Sequence, residues 1–460
     1  MHKQTNTTIM NAKTIPTVKD SFTPWLNLYS AFRPLDFIES QIKKYGDFYK
    51  FEVPNKPPVI VVSNPQAVEE IFTAPSNTFK SAEANKVFSF LLGDNSILLL
   101  DGEAHKTRRR LIMPPFHGEI LQQYSQTIIE ITEGFCDRLK MGKPFNVRRC
   151  MQDITLQVIL NVVFGINSNS RYERLKSLLV ELLETFNTPA KSLWLIFPSL
   201  QKDWGKYSQW GNFLRLKAEI KQIIYEEIKD RRSQLEQEFH QDILSLMLLA
   251  KDENGRGLTD EELHDELITL LFAGHETTAS ALSWLFYWIH YESEVQTKLR
   301  FELNSLEANT NYKAVSNLSY LNAVVSETLR IYPVAAGAFI RIAIEPTSIL
   351  GYQIKSDDWL SVSIYALHHR EDLYPNPRKF EPERFLEKNY SFYEYIPFGG
   401  GNRRCIGSAL ALLEMKLVTT TMLSQFQLAL CNKRPLYPVR RGITLAPPAS
   451  FKMVVKSENI

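Results

Sequence analysis

One stretch limits the possible folds of this chain more than any other. Thr259-Asp260-Glu261-Glu262 has the form of a capping box, Thr at the N-cap and Glu at N3. The helix it starts meets no proline and a single glycine before about Ile289. Some 30 residues at 1.5 Å each span roughly 45 Å, the width of a whole domain. Leu267 to Ile289 is apolar enough to suggest a membrane span, but Glu276 sits near its middle beside His275, Thr277 and Thr278. A central charge is expensive in lipid. The stretch therefore reads as a buried helix through the middle of one large core, which 44% hydrophobic residues in 460 can supply.

A second stretch carries the chemistry. Phe398-Gly399-Gly400-Gly401-Asn402-Arg403-Arg404-Cys405-Ile406-Gly407 places one cysteine in a glycine-rich loop, and the apolar run from Ser408 reads as a helix. Cys405 thus lies near a helix N-terminus, where dipole and free N–H groups favour a thiolate. A thiolate wants a soft metal. Gly399, Gly401 and Gly407 let the backbone press against something flat. Zinc and iron–sulfur clusters need three or four protein ligands, whereas haem needs one. Zinc at His275-Glu276 fails too, since the second His of H-E-x-x-H would fall on Ala279.

The pattern Phe-Gly-x-Gly-x-Arg-x-Cys-x-Gly resembles the cysteine loop of the cytochrome P-450 haem-thiolate monooxygenases at every motif position. The resemblance runs from about Phe32 to Val455. It implies haem b with Cys405 as axial ligand, held in a loop that includes Phe398, Gly399 and Gly407. It implies the reaction RH + O₂ + 2e⁻ + 2H⁺ → ROH + H₂O. Ala273-Gly274-His275-Glu276-Thr277-Thr278 matches the family's oxygen-activation motif: Ala273 and Gly274 would leave room for O₂, Thr277 can bond a carbonyl one turn back, and Glu276 with Thr277 would relay protons. His275 reads as structural, pointing away from the iron. Glu327 and Arg330, with Arg384 of Pro382-Glu383-Arg384-Phe385, would form a buried charge network. Haem propionates would find Arg403, Arg341, and the pair His105 and Arg109. Many members have Trp where His105 stands.

Substrate-facing positions by resemblance are Val87 to Leu98, Leu193 to Phe197, Phe272, Ala273, Thr277, Val334 to Gly337 (Ala335 included) and Thr444. They are nearly all apolar, so a lipophilic substrate is expected: fatty acyl chain, alkane, terpene or sterol. Trp194 to Pro198 reads as a lid, a membrane-dipping segment or plain loop packing. No dinucleotide fingerprint follows the glycines of the cysteine loop, so electrons are expected from a separate acidic ferredoxin or flavodoxin. Lys106, Arg108 and Arg110 are its expected docking charges. Two rival readings stay open: a peroxide-using peroxygenase or isomerase, against which Glu276-Thr277 speaks, and a haem- or lipid-binding protein without turnover.

The remaining features bound the rest. A net charge of +2 argues against nucleic acid. Cys136, Cys150, Cys405 and Cys431 form no disulfide framework, and the start is polar without a signal-like core, so a soluble, cytoplasmic monomer without a transmembrane anchor is expected. Residues 1–31 read as a polar extension before a single domain, 32–460. Helices dominate, with strands at Phe48–Val53, Val59–Val62, Ile340–Ile364 and Ile443–Val455. The fold class is mostly α (α+β), with a small segregated sheet.

Overall fold

A computed structural model describes residues 13–18, 29, 33–52, 57–165, 170–185, 201–234, 241–306 and 312–458. The segment Leu193 to Pro198, expected to face substrate or act as a lid, lies outside them. Helix α1 (Pro34–Tyr45) stops at Gly46, whose φ of 83° suits a residue without a Cβ. Strands β1 (Phe48–Phe51) and β2 (Val59–Val62) follow as an antiparallel pair. Asn64 then caps α2 (Pro65–Thr73) through its side-chain oxygen. The segment 13–18 packs on this corner: Val18 is buried and its N–H donates to the Lys50 carbonyl, 3.0 Å.

Helices fill the middle of the chain: α3 (Gly102–Ile112), α4 (Glu119–Cys136), α5 (Val147–Phe164), α6 (Ser170–Glu184), α7 (Gln209–Gln234) and α8 (Asp260–Tyr291). Helix α8 is the long one the capping box announces. The Glu262 N–H donates to Thr259 Oγ1 (3.2 Å), and Glu262 Oε2 accepts from the Thr259 N–H (2.9 Å). Its 32 residues are buried on nearly every side, packed on α5, α10 (Ser319–Ile331) and α11 (Ser408–Gln425), with α9 (Ser293–Leu303) between α8 and α10 in sequence. No helix among the described residues is long and apolar enough to cross a membrane.

The main sheet has the order β1-β2-β8-β5-β3, from β3 (Phe79–Lys80), β5 (Arg341–Ala343) and β8 (Trp359–Val362). Strand β8 runs parallel to β2, so the C-terminal third closes onto the N-terminal corner. The hairpins β6 (Thr347–Ile349)–β7 (Tyr352–Ile354) and β10 (Val439–Arg441)–β11 (Thr444–Ala446) are separate. Strands β4 (Pro144–Asn146) and β9 (Phe426–Leu430) flank β12 (Lys452–Glu458). The sequence reading did not place β4 or β9. Three residues are too few to show a period, and β9 leaves α11 with no Gly or Pro break.

Two buried charge groups tie these layers together. Arg330 on α10 makes a two-pronged pair with Glu327 (2.6 and 2.8 Å) and donates to the carbonyls of His368, Pro377 and Lys379. Arg384 reaches the same Glu327 at 3.1 Å, and the Glu381 N–H donates to it at 2.9 Å. The structure thus brings Glu327, Arg330 and Arg384 together, with Glu327 and Arg330 wholly out of solvent. The second group is Arg108 of α3, bonded to Glu262, Glu266 (2.8 Å) and the Asn95 carbonyl. Removing one member of such a group strands the others without a partner. Glu327→Ala should therefore lower unfolding free energy by about 3–5 kcal/mol, read by denaturant titration. A change within about 0.5 kcal/mol, usual for surface positions, would mean the network bears no load.

Candidate active site

The cysteine loop is shaped by contact with α2. Gly399 and Gly401 have φ of 66° and 63°, and a Cβ on Gly401 would stand 2.6 Å from the Phe72 carbonyl oxygen. A Cβ on Gly400 would enter the Phe72 ring. Gly400 and Gly401 thus serve the protein's own packing. At Gly399 and Gly407 a Cβ would meet nothing within 4 Å, and the Gly407 backbone N–H acts on the Cys405 sulfur. The Cys405 N–H donates to the Phe398 carbonyl (3.0 Å), which fixes the turn. Burial nonetheless pushes the Cys405 thiol up, against the lowering pull of the Gly407 N–H, Arg109 and Arg404. The Gly407 N–H and the two arginines favour the thiolate, as a position near a helix end leads one to expect, and a bound metal would favour it further. Although its loop is packed behind it, the Cys405 side chain is exposed on one face.

Helix α8 has a matching bare spot. Within a helix otherwise buried, Ala273 is exposed and Phe272, Gly274 and Thr277 are partly so. Gly274 does not open this space. A Cβ there would lie 2.8 Å from Ile159 Cδ1 on α5, so the glycine serves close helix packing and not room for O₂. Thr277 Oγ1 donates to the Ala273 carbonyl at 2.5 Å, the bond to the preceding turn that the sequence suggests. Glu276 turns the other way, paired with Arg148 and accepting from Gln152 Nε2 (2.7 Å) on α5. Adjacent in sequence, Glu276 and Thr277 point about 100° apart around the helix, and their side chains bond different partners. His275 is buried against the Gln152 carbonyl (3.0 Å), away from the bare spot.

Around the loop stand more cations than anions. His105, Arg109, Arg341 and Arg403 are close enough to act on one another's charge. Burial, then Arg403, Arg109 and Arg341, push His105 down to about 3, so beside these arginines it is neutral. Arg341 is 5% exposed, and its bonds to Ser81, Phe339 and Gly400 are long, 3.2–3.4 Å. Burial and then Arg403 lower it to about 10. Arg109 makes no hydrogen bond or ion pair among the described residues. Arg403 bonds the Ile97 and Leu100 carbonyls and Asp101. That acid is already shared with the N–H groups of Ser81 and Ala82. Such a group is complete only with an added anion, and the two carboxylates of haem fit it.

Other expected positions divide. Val334, Ala335 and Phe272 are partly exposed and apolar, whereas Thr444 is buried with its hydroxyl on the Arg441 carbonyl, so it is closed to the space over Ala273. Of the expected docking charges, Arg108 is corrected to a buried pin, whereas Arg110 and Lys106 are exposed, in surface pairs with Glu253 and Glu103. Arg148, Gln152 and Asp101 were missed. Their partners lie far away in sequence, and no local pattern marks them.

An exposed thiol in a glycine-rich loop, an arginine cluster beside it and a long helix with exposed Ala273 are the features expected of a haem-thiolate protein. The chain belongs to the cytochrome P450 family, whose pattern matches residues 21–454. A putative cytochrome P450 135B1 of Mycobacterium tuberculosis is 32% identical over 423 residues, 92% of this chain and 87% of that one. A putative cytochrome P450 135A1 from the same organism is 31% identical, covering 91% and 90%. A retinoic-acid-bound cyanobacterial structure, CYP120A1, superposes with a TM-score of 0.83 at 27% identity, over 97% and 100% of the two chains. The haem domain of cytochrome P450DA shares the fold, TM-score 0.84 at 22% identity over 96% and 98%. The chain is therefore an oxidoreductase, a haem b monooxygenase of the cysteine-thiolate type, using O₂ and a redox partner.

The charge imbalance gives a prediction of opposite signs. Arg109→Leu should stabilise the haem-free protein, since an unpaired, partly buried cation is removed. It should also speed haem loss to apomyoglobin. Thermal melts of both forms check this; loss of stability in the haem-free form would contradict it.

Proposed function

We propose that Cys405 is the axial ligand, that Arg109, Arg341, Arg403 and neutral His105 hold the propionates, and that Ala273 and Thr277 face the oxygen side. The observation that carries this reading is exposed Cys405 beside Arg109, whose side chain has no partner among the described residues, next to Arg341, Arg403 and His105. Haem held there supplies O₂ activation, and Gly407 leaves its flat face clear. Phe398 and Gly399 set the turn. The Glu327–Arg330–Arg384 network is a positioning scaffold behind it.

Thr277 already donates its proton to Ala273, so it turns lone pairs to the open space and orders a water there by accepting from it. Glu276 sits at the far side of α8, 17% exposed, between solvent and that water. Release from Arg148 would let it pass protons inward. The substrate is a lipophile, seated against Phe272, Val334, Ala335 and the partly exposed Phe88, Phe90 and Leu98. The retinoic acid in the cyanobacterial neighbour is an apolar chain of this kind. Electrons come from an acidic ferredoxin or flavodoxin. Its contact is Arg404, exposed beside the thiol and lying over the exposed Phe392 ring, 5.7 Å to the centroid.

Thr277→Ala tests the relay. NADPH consumption with a surrogate ferredoxin system should continue while coupled product falls roughly 10²-fold, the scale of one proton-transfer group, and H₂O₂ rises. Full coupling without excess peroxide would make Thr277 a packing residue only.

A further inference from the structure

Lys217 on α7 is a half-buried lysine without an acidic partner among the described residues. Its Nζ donates to the Phe90 carbonyl, at the short helix Ser89–Leu92, and to no carboxylate among the described residues. That short helix and α7 both pack on α8. The surroundings are aromatic: Phe90 lies 5.6 Å from Phe213, and Phe213 stacks 5.3 Å from Trp210. Burial lowers the lysine's pKa, and the charges that act on it are Asp265, Lys221 and Asp94. Asp265 is already satisfied by His264 (2.9 Å) and both Asn95 donors (2.9 and 3.1 Å), while Asp94 and Lys221 are exposed to screening solvent. Among the described residues, two of the three ammonium protons have no acceptor.

The position along α8 sets a length. Lys217 is tied to Phe90, whose segment reaches α8 where Asn95 bonds Asp265 (2.9 and 3.1 Å), and Ala273 lies eight residues beyond Asp265, roughly 12 Å at helical rise. An extended alkyl chain of roughly ten carbons covers that span at ordinary bond lengths. We propose that Lys217 is a specificity-determining residue that holds the carboxylate of a lipophilic acid, placing a carbon about ten atoms away over Ala273. This rests on the substrate reading given above and narrows it from lipophiles in general to chain-bearing acids. A neutral ester of the same chain would bury against the same wall but leave the ammonium with one carbonyl.

The test uses haem-loaded full-length protein and two probes, dodecanoic acid and methyl dodecanoate. Binding is read by calorimetry and by the shift of the Soret band, without turnover. Wild type should bind the acid about tenfold more tightly than the ester, the effect of one partly buried charge pair. Lys217→Met should remove that preference by weakening the acid alone, and Lys217→Arg should keep most of it. Equal binding of acid and ester by wild type, or an unchanged acid affinity in Lys217→Met, overturns the proposal while leaving a lipophile site in place. If neither probe binds to protein with full haem, the lipophile reading falls and the proposal with it.

Discussion

Positive charge without enough negative charge is the constraint that the rest of this structure answers to. Arg109, Arg341 and Arg403 converge beside a thiol, with Asp101 as the nearby acid. Asp101 is already divided among three donors. A protein can bury such a group only if something else completes it. The buried, neutral His105 fits the same constraint, since a further positive charge there would add to the imbalance. In this sense the polypeptide is one part of a two-part fold, and ligand binding adds to its stability.

Helix α8 shows how one element serves packing and chemistry on different sides. Gly274 faces α5, where a methyl group would strike Ile159; Ala273 faces open space; Glu276 faces Arg148 and Gln152. A turn of helix separates these directions, so a residue can be small for two unrelated reasons within two positions. The glycine of the motif and the alanine before it therefore have different work, one fixing helix distance and the other exposing a surface. The same division explains why acid and alcohol bond different partners, Glu276 on α5 and Thr277 on its own helix.

What could be read from the sequence was local. The capping box, the Glu-x-x-Arg pair and the cysteine loop each set their own geometry within ten residues, and the structure has them in place. What could not be read needed partners far along the chain. Arg108 looks like surface charge until Glu262 and Glu266, over 150 residues later, close on it. Arg148 meets Glu276 across 128 positions, and Lys217 meets Phe90 across 127. Thr444 sits in an apolar strand near the expected pocket, yet its hydroxyl belongs to its own turn. The sign of a thiol's shift was also beyond local reading, because burial by distant elements outweighs the helix end.

The central claim is that one sulfur, Cys405, binds the iron. The ferrous–CO spectrum of wild type and Cys405→Ser, each loaded with haem, addresses it directly. The account predicts the red-shifted Soret band of a thiolate-ligated haem in the wild type and its complete loss in the variant. A variant that keeps that band would place the thiolate on another cysteine and contradict the account.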